Sequence, residues 1–511
     1  MYRRSLWIPT VFLWAACSSP SSDGSGSDSG HVASTQDSGT AGSDGGPTDL
    51  GGPPSDGGTQ DQGGPDGGET DTGPTDMGSP PNPHIWSRRF GDENFEQAVV
   101  MASAPNDSRF VLSGRFSGQI SFGDATLISP GGSRAFLASL ASDGTPEWAR
   151  EMGDVFLWDL VVDGSGRTVV AMQLFSTTDF GGPDGVIPCC RQQVIGRFDD
   201  GGTPDLLLDY DNFISSGGLR PSHVALGSDD SIHTVGVLDR ALLIDGISLD
   251  ATDGEDIWLA KYSSDGSIEW ATTIAGEENA VPTDIAVGTD GQVFIVGHFE
   301  GTITTGGTTV TTGMSEALFV ARVSSEGIPE AVVAFDTSID GDVTVVRDGD
   351  GIIVTGGFEG SGLDLGGGPL PFGGDTDIFL ARFGADLSLD WARTFGSGRD
   401  QVPTAVGRDS AGDLWLAGFA GAGNDGEIDF GTGVLPVQGF DIFLARFDGT
   451  SMAPTYASVF GGPGDQRGRG LGFPTEGGVV LLADGDTEVD FGGGPLTSLG
   501  LADIFVTSLE P

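Results

Sequence analysis

The stretch VPTDIAVGTDGQVFIVGHFEG, Val281 to Gly301, followed by EALFVARVSSEGIPEAVVAF, Glu316 to Phe335, holds one complete unit of a repeat. Asp284 to Val287 alternates apolar and polar residues in the manner of a half-buried strand. Gly288, Thr289, Asp290 and Gly291 read as a tight turn, because Asp and Gly tolerate the positive φ that short hairpins need. Val293 to Val296 is a β-branched and aromatic run, as strands prefer. After a variable stretch, Leu318 to Val323 and Glu330 to Phe335 form two more strands around the turn at Glu326-Gly327. The unit therefore reads as four antiparallel strands, A to D, in about 60 residues.

Working outward, the strand-D marker recurs as HIWSRRFG (Trp86), PEWAREMG (Trp148), IEWATTIAG (Trp270) and LDWARTFG (Trp391), with Leu206, Ala331 and Tyr456 in degenerate copies. Strand C recurs as DIWLAKY (Asp256), DIFLARF (Asp377 and Asp441) and DIFVTSL (Asp503). Its apolar residues point both ways, as expected of a strand sandwiched between neighbouring sheets. Four copies of one aspartate fit a strand-start role better than catalysis, and the Trp positions fit aromatic wedges between sheets. The B–C connections carry a Gly-rich refrain at Phe122, Phe180, Leu365, Phe430 and Phe491, which reads as a short hairpin. No Lys and no helix follows these glycines, so they are not a phosphate loop. Aspartates at the A–B turns (Asp163, Asp229, Asp290, Asp348, Asp409) and C–D turns (Asp143, Asp199, Asp265) imitate calcium loops but fall between strand runs, as hairpin turns do.

Units begin near residues 96, 157, 220, 282, 341, 402 and 467. The array opens with a lone D strand, Ile85 to Phe90, and ends with strand C of the last unit, Ile504 to Leu509. The expected fold is all-β: a seven-bladed β-propeller of four-stranded blades, closed by the N-terminal strand joining the last blade. Such closure hides the edge that the final sheet would otherwise expose.

The ends and the composition bound the setting. Arg3 and Arg4 precede an apolar run from Leu6 to Ala16, which is signal-peptide length and too short to span a bilayer. Ala15 and Ala16 before Cys17 resemble the lipobox of bacterial lipoproteins, although Trp14 stands where that family usually has Leu. That resemblance implies cleavage before Cys17 and acylation of it; Ser18 and Ser19 imply onward transport to the outer membrane. Residues 17–83 are dominated by Gly, Ser, Thr, Asp and Pro, with eleven acidic residues and no Lys or Arg. Such a segment cannot offset its ordering entropy by burial, and as a coil it spans ~45 Å. The expected organisation is thus a signal peptide over 1–16, a disordered linker over 17–83 and the propeller over 84–511. The net charge of −51, against only 23 Lys and Arg, excludes nucleic acid as a partner. Cys189 and Cys190 are adjacent in an exported chain; a vicinal disulfide and two separate thiols are both open.

The order W-x-x-x-x-G followed by D-x-A-V-x-x-D-G-x-V-x-I-V-G resembles the SBBP-type bacterial β-propeller repeat. It is best kept in units four to six and degraded in units two and three. That family occurs in exported and lipid-anchored surface proteins of myxobacteria and related soil bacteria. The resemblance implies architecture and location, not chemistry.

Function is expected on the face formed by the longer D–A and B–C connections, because loops on a rigid scaffold carry it. The D–A loops supply the candidate ligand-binding residues Asp92, Glu93, Glu277, Glu278, Asp400, Gln401, Asp465 and Gln466. These suit a polar, sugar-like ligand or a cation; no cofactor is called for, though Ca²⁺ would suit such a rim. No metal site is expected, since the five histidines (His31, His84, His223, His233, His298) show no metal-ligand spacing. The leading reading is a non-catalytic, lipid-anchored cell-surface binding or scaffold module, with a surface protein or polysaccharide as partner. A structural or adhesive envelope component is the first alternative. A polysaccharide lyase or glycosidase, using a carboxylate pair such as Asp92 with Glu278, is the second.

Overall fold

The computed structural model describes residues 83–511, apart from 106–108, 182–184, 188–192, 211–221, 253, 314–315, 361, 422–425, 463 and 511. The signal segment, the linker, Cys17, Cys189 and Cys190 lie outside the described residues. Among those described there is no helix; the regular elements are all strands.

The unit around Val281 to Phe335 forms a four-stranded antiparallel sheet: Ala280–Val287, Val293–Phe299, Ala317–Val323 and Pro329–Asp336, paired in chain order. Its hairpin register is set at Val287↔Val293 by the turn at Gly291, whose φ is 83°. The same order of four strands recurs along the described residues, from Glu96–Ser103 through Pro146–Gly153 in the first sheet to the set that begins at Gly464–Gly472. The B–C refrain folds as small hairpins, such as Leu242–Ile244 with Ile247–Leu249 and Gly426–Ile428 with Leu435–Val437. In three of them one carboxylate accepts from two backbone N–H groups: Asp364 from Gly366 and Gly368, Asp429 from Gly431 and Gly433, Asp490 from Gly492 and Gly494.

The last sheet is assembled from both ends of the array. Gly464–Gly472, Val479–Gly485 and Asp503–Leu509 pair in order, and His84–Phe90 completes the sheet through Phe90↔Ile504 and Ser87↔Thr507. The split repeat predicted this pairing.

The architecture is a β-propeller. The A strands lie innermost, each touching the A strand of the next sheet, and Gly464–Gly472 touches Glu96–Ser103. The apolar core sits between neighbouring sheets. Val480, Leu482, Ile504 and Val506 of the last sheet pack with Phe110, Leu112 and Phe136 of the first. Three strand-D tryptophans tie their sheet to the C–D turn of the next. Trp148 Nε1 donates to Asp200 O at 2.7 Å and Trp270 Nε1 to Ser325 O at 3.0 Å. Trp86 in the last sheet donates to Ser142 O of the first at 2.9 Å. Each ring lies flat on a turn glycine: a methyl at Gly327 would sit 2.5 Å from Trp270.

A second contact explains why the repeat pairs a glycine with the strand-C aspartate. Asp256, Asp377, Asp441 and Asp503 are buried at the start of strand C. Each accepts a backbone N–H from the neighbouring loop, Thr252 and Gly276 to Asp256, Gly373 to Asp377, Gln438 to Asp441 and Leu499 to Asp503. The D-strand glycine leaves room for that carboxylate: a methyl at Gly396 would lie 2.1 Å from the Asp377 carboxyl carbon. Gly396→Ala is therefore expected to destabilise by ~2 kcal/mol through overpacking. Urea denaturation of Gly396→Ala, Asp377→Ala and the double variant should give a double-variant loss smaller than the sum of the two single losses.

Candidate functional site

The D–A loops that the sequence nominated fall into two groups. Glu93, Glu277, Glu278 and Asp465 are exposed, while Asp92 is partly covered and accepts the Asn94 N–H at 2.8 Å. Gln401 and Gln466 are buried and serve the loops themselves. Gln401 Oε1 accepts the Ser397 N–H at 3.1 Å and Gln466 Oε1 the Gly462 N–H at 3.2 Å; Glu96 does the same for Asp92 at 3.1 Å. Asp400 is 7% exposed, forms a parallel bridge with Thr376, and is pushed up to about 6 by burial and by the charges of Asp340 and Asp375. Asp92 and Glu278 open the first and fourth sheets, so the topology does not make them neighbours. Near Asp465, the Arg467 guanidinium lies 5.3 and 5.1 Å from the rings of Phe419 and Phe440, an aromatic clamp that the sequence reading missed.

A different group comes together on the inner strands. Asp159, His223 and Asp284 lie on the A strands of the second, third and fourth sheets, Val155–Val162, Ser222–Leu226 and Ala280–Val287. One ligand atom from each lies within 4.8 Å of the others. The pairing registers place all three at the same position of the repeat, opposite Ala171, Val235 and Val296 of their B strands. The other four sheets carry Val100, Thr344, Ala405 and Gly470 there. In the second and fourth sheets a bulge precedes the residue, between Leu157 and Asp159 and between Pro282 and Asp284. Bulges re-aim side chains in this way.

Both carboxylates are held by backbone. Asp159 Oδ1 accepts its neighbour Leu160 N–H at 2.8 Å and Oδ2 accepts Val224 N–H of the next sheet at 3.0 Å. Asp284 repeats the arrangement with Ile285 at 2.7 Å and Val345 of the fifth sheet at 2.8 Å. His223 Nδ1 stands 3.6 Å from Asp159 Oδ2, with the two side chains 14% and 17% exposed. The three groups meet because the repeat delivers one from each of three successive sheets.

No known family model matches the chain, and no curated protein matches it in sequence. Among solved structures, the chain is similar to the Dos1 propeller with a TM-score of 0.41 and 9% identity, over 82% of this chain and 94% of that one. It is also similar to a protein of unknown function from Bacteroides caccae with a TM-score of 0.31 and 8% identity, over 59% of this chain and 83% of that one. The propeller assignment rests on the strand pairing and sheet order, not on these likenesses.

The electrostatics of the inner cluster follow from its setting. Burial pushes the Asp284 carboxyl up to about 7, and Asp159 adds to the rise while His223 opposes it. Burial works against a charge on His223, yet the bond to Asp159 and the charges of Asp159, Asp284 and Asp342 outweigh it and raise its pKa. Both groups hold protons more tightly folded than unfolded. Their contribution is present at low pH and is lost as pH rises, for Asp284 between about 4 and 7. Glu96, raised to about 7, and Asp441, raised to about 6, act with the same sign. Denaturation midpoints should fall from pH 5 to pH 8, and the fall should be shallower in Asp284→Asn.

Proposed function

We propose that residues 84–511 form a closed ring of seven four-stranded blades, of the SBBP type, that works as a non-catalytic binding or scaffold module. The chain is exported, acylated on Cys17 and held at the cell surface, with the outer membrane as its destination. Residues 17–83 act as the tether. The partner is a surface protein or a polysaccharide, and no cofactor takes part.

One observation carries this reading. Carboxylates that recur across the repeats are engaged by the fold's own turns and loops: Asp163 accepts from Ser165 and Arg167, Asp199 from Gly201 and Thr203, and Asp409 from Ala411 and Asp413. What varies from sheet to sheet is the D–A rim and the inner strands, and variable positions on a rigid frame suit recognition.

The reading is tested in two steps. Deleting His84–Phe90 uncovers the edge of Asp503–Leu509; the variant should unfold at lower urea and aggregate, whereas an open array would tolerate the loss. The intact chain is then screened by thermal shift against polysaccharides and Ca²⁺. A ligand selective for the folded state raises the midpoint with concentration, and Glu278→Ala, Asp400→Ala and Asp465→Ala should blunt that rise. Separately, Cys17→Ser should abolish acyl labelling and release the chain from the membrane fraction; unchanged membrane association would overturn the anchor.

A further inference from the structure

We propose that Asp159, His223 and Asp284 form a binding site for a divalent transition cation of the zinc class, set on the inner face of the second, third and fourth sheets. The site is independent of the D–A rim, so failure of a rim ligand to appear leaves it standing.

Geometry is the first support. Donors around one zinc-class ion sit at about 2.0–2.2 Å from it, and thus about 3.3–3.6 Å from each other in a tetrahedral set. The three donors already lie within 4.8 Å. Roughly 1–1.5 Å of side-chain adjustment closes the set, within reach of rotations about the side-chain bonds.

Preorganisation is the second support. Each carboxylate is fixed by two backbone N–H donors, one from its own strand and one from the next sheet. A carboxylate has about four lone-pair sites, so two such bonds leave acceptor capacity for a metal. Oriented ligands of this kind are what hydrogen bonds behind a metal site provide.

Donor chemistry and charge select the ion. Two carboxylates and a neutral imidazole carry a charge that a divalent cation balances, and Asp342 adds to the negative field. The imidazole favours zinc, iron or nickel over calcium and magnesium, which take oxygen ligands. Three protein ligands leave positions for water, and the partial exposure of His223 and Asp159 gives solvent a path to them. The alternative is a protonated His223 held between two carboxylates with no ion bound.

The experiment uses the full chain stripped with chelator. Zn²⁺ is titrated by calorimetry at pH 7.5, and Co²⁺ is added as a visible probe of imidazole ligation. The expected result is one tight Zn²⁺ per chain and a Co²⁺ spectrum that His223→Ala removes. Asp159→Asn and Asp284→Asn keep the shape and one backbone bond each, and should weaken Zn²⁺ by more than about 10-fold. Affinity should also fall from pH 7.5 to 5.5, since ligands must lose protons to bind. Circular dichroism establishes that each variant is folded. Absence of Zn²⁺ binding would overturn the proposal in favour of the protonated triad. So would Zn²⁺ binding that all three variants leave unchanged, which would place the ion on other acidic groups.

Discussion

The structure depends on the contact between one sheet's outer strand and the next sheet's C–D turn. A propeller sheet touches only its neighbours, so its stability is a sum of nearest-neighbour interfaces, as in other repeat arrays. The indole of Trp148 or Trp270 covers a turn glycine and donates to a turn carbonyl in the adjacent sheet. Trp86 makes the same bond from the last sheet to the first. Where the Trp is missing, other groups take over: Leu206 packs on Gly266, and Arg197 donates to Ser264 O. The interface is thus conserved in geometry while its side chains drift.

The acidic composition finds its physical explanation in the same frame. Many aspartates replace backbone partners at turns, where Oδ1 accepts N–H groups two and four residues on. Others enter the interior at the head of strand C, and at Asp377, Asp441 and Asp503 a glycine leaves room for the carboxylate. The carboxylates therefore hold turns and loop ends in place as well as keeping the surface soluble.

Much of the fold was legible in the sequence for this reason. Strand alternation, Asp-Gly turns and the Trp marker are local signals, and Pro329–Asp336 or Asp256–Tyr262 could be drawn from them directly. The joining of His84–Phe90 to the last sheet followed from the missing D strand. The site was less legible. Gln401 and Gln466 look alike whether they face a ligand or cap a loop, since burial decides and composition does not. Asp159, His223 and Asp284 escaped a search for closely spaced ligands because they recur at the interval of the repeat itself. Comparing one position across all seven units, where Val100, Thr344, Ala405 and Gly470 stand in the other sheets, is the signal that would have found them.

The strand that completes the last sheet also orders events in time. Arg89 and its ion-pair partner Asp503 are 414 residues apart. His84–Phe90 leaves the ribosome long before Asp503–Leu509 exists to receive it. Such a distant pairing makes closure slow and late. It also makes closure a test of completeness: a chain cut short before Asp503 keeps an orphaned first strand and a naked final edge. Full-length synthesis is thereby built into the condition for a protected fold, and an interrupted product announces itself to proteases.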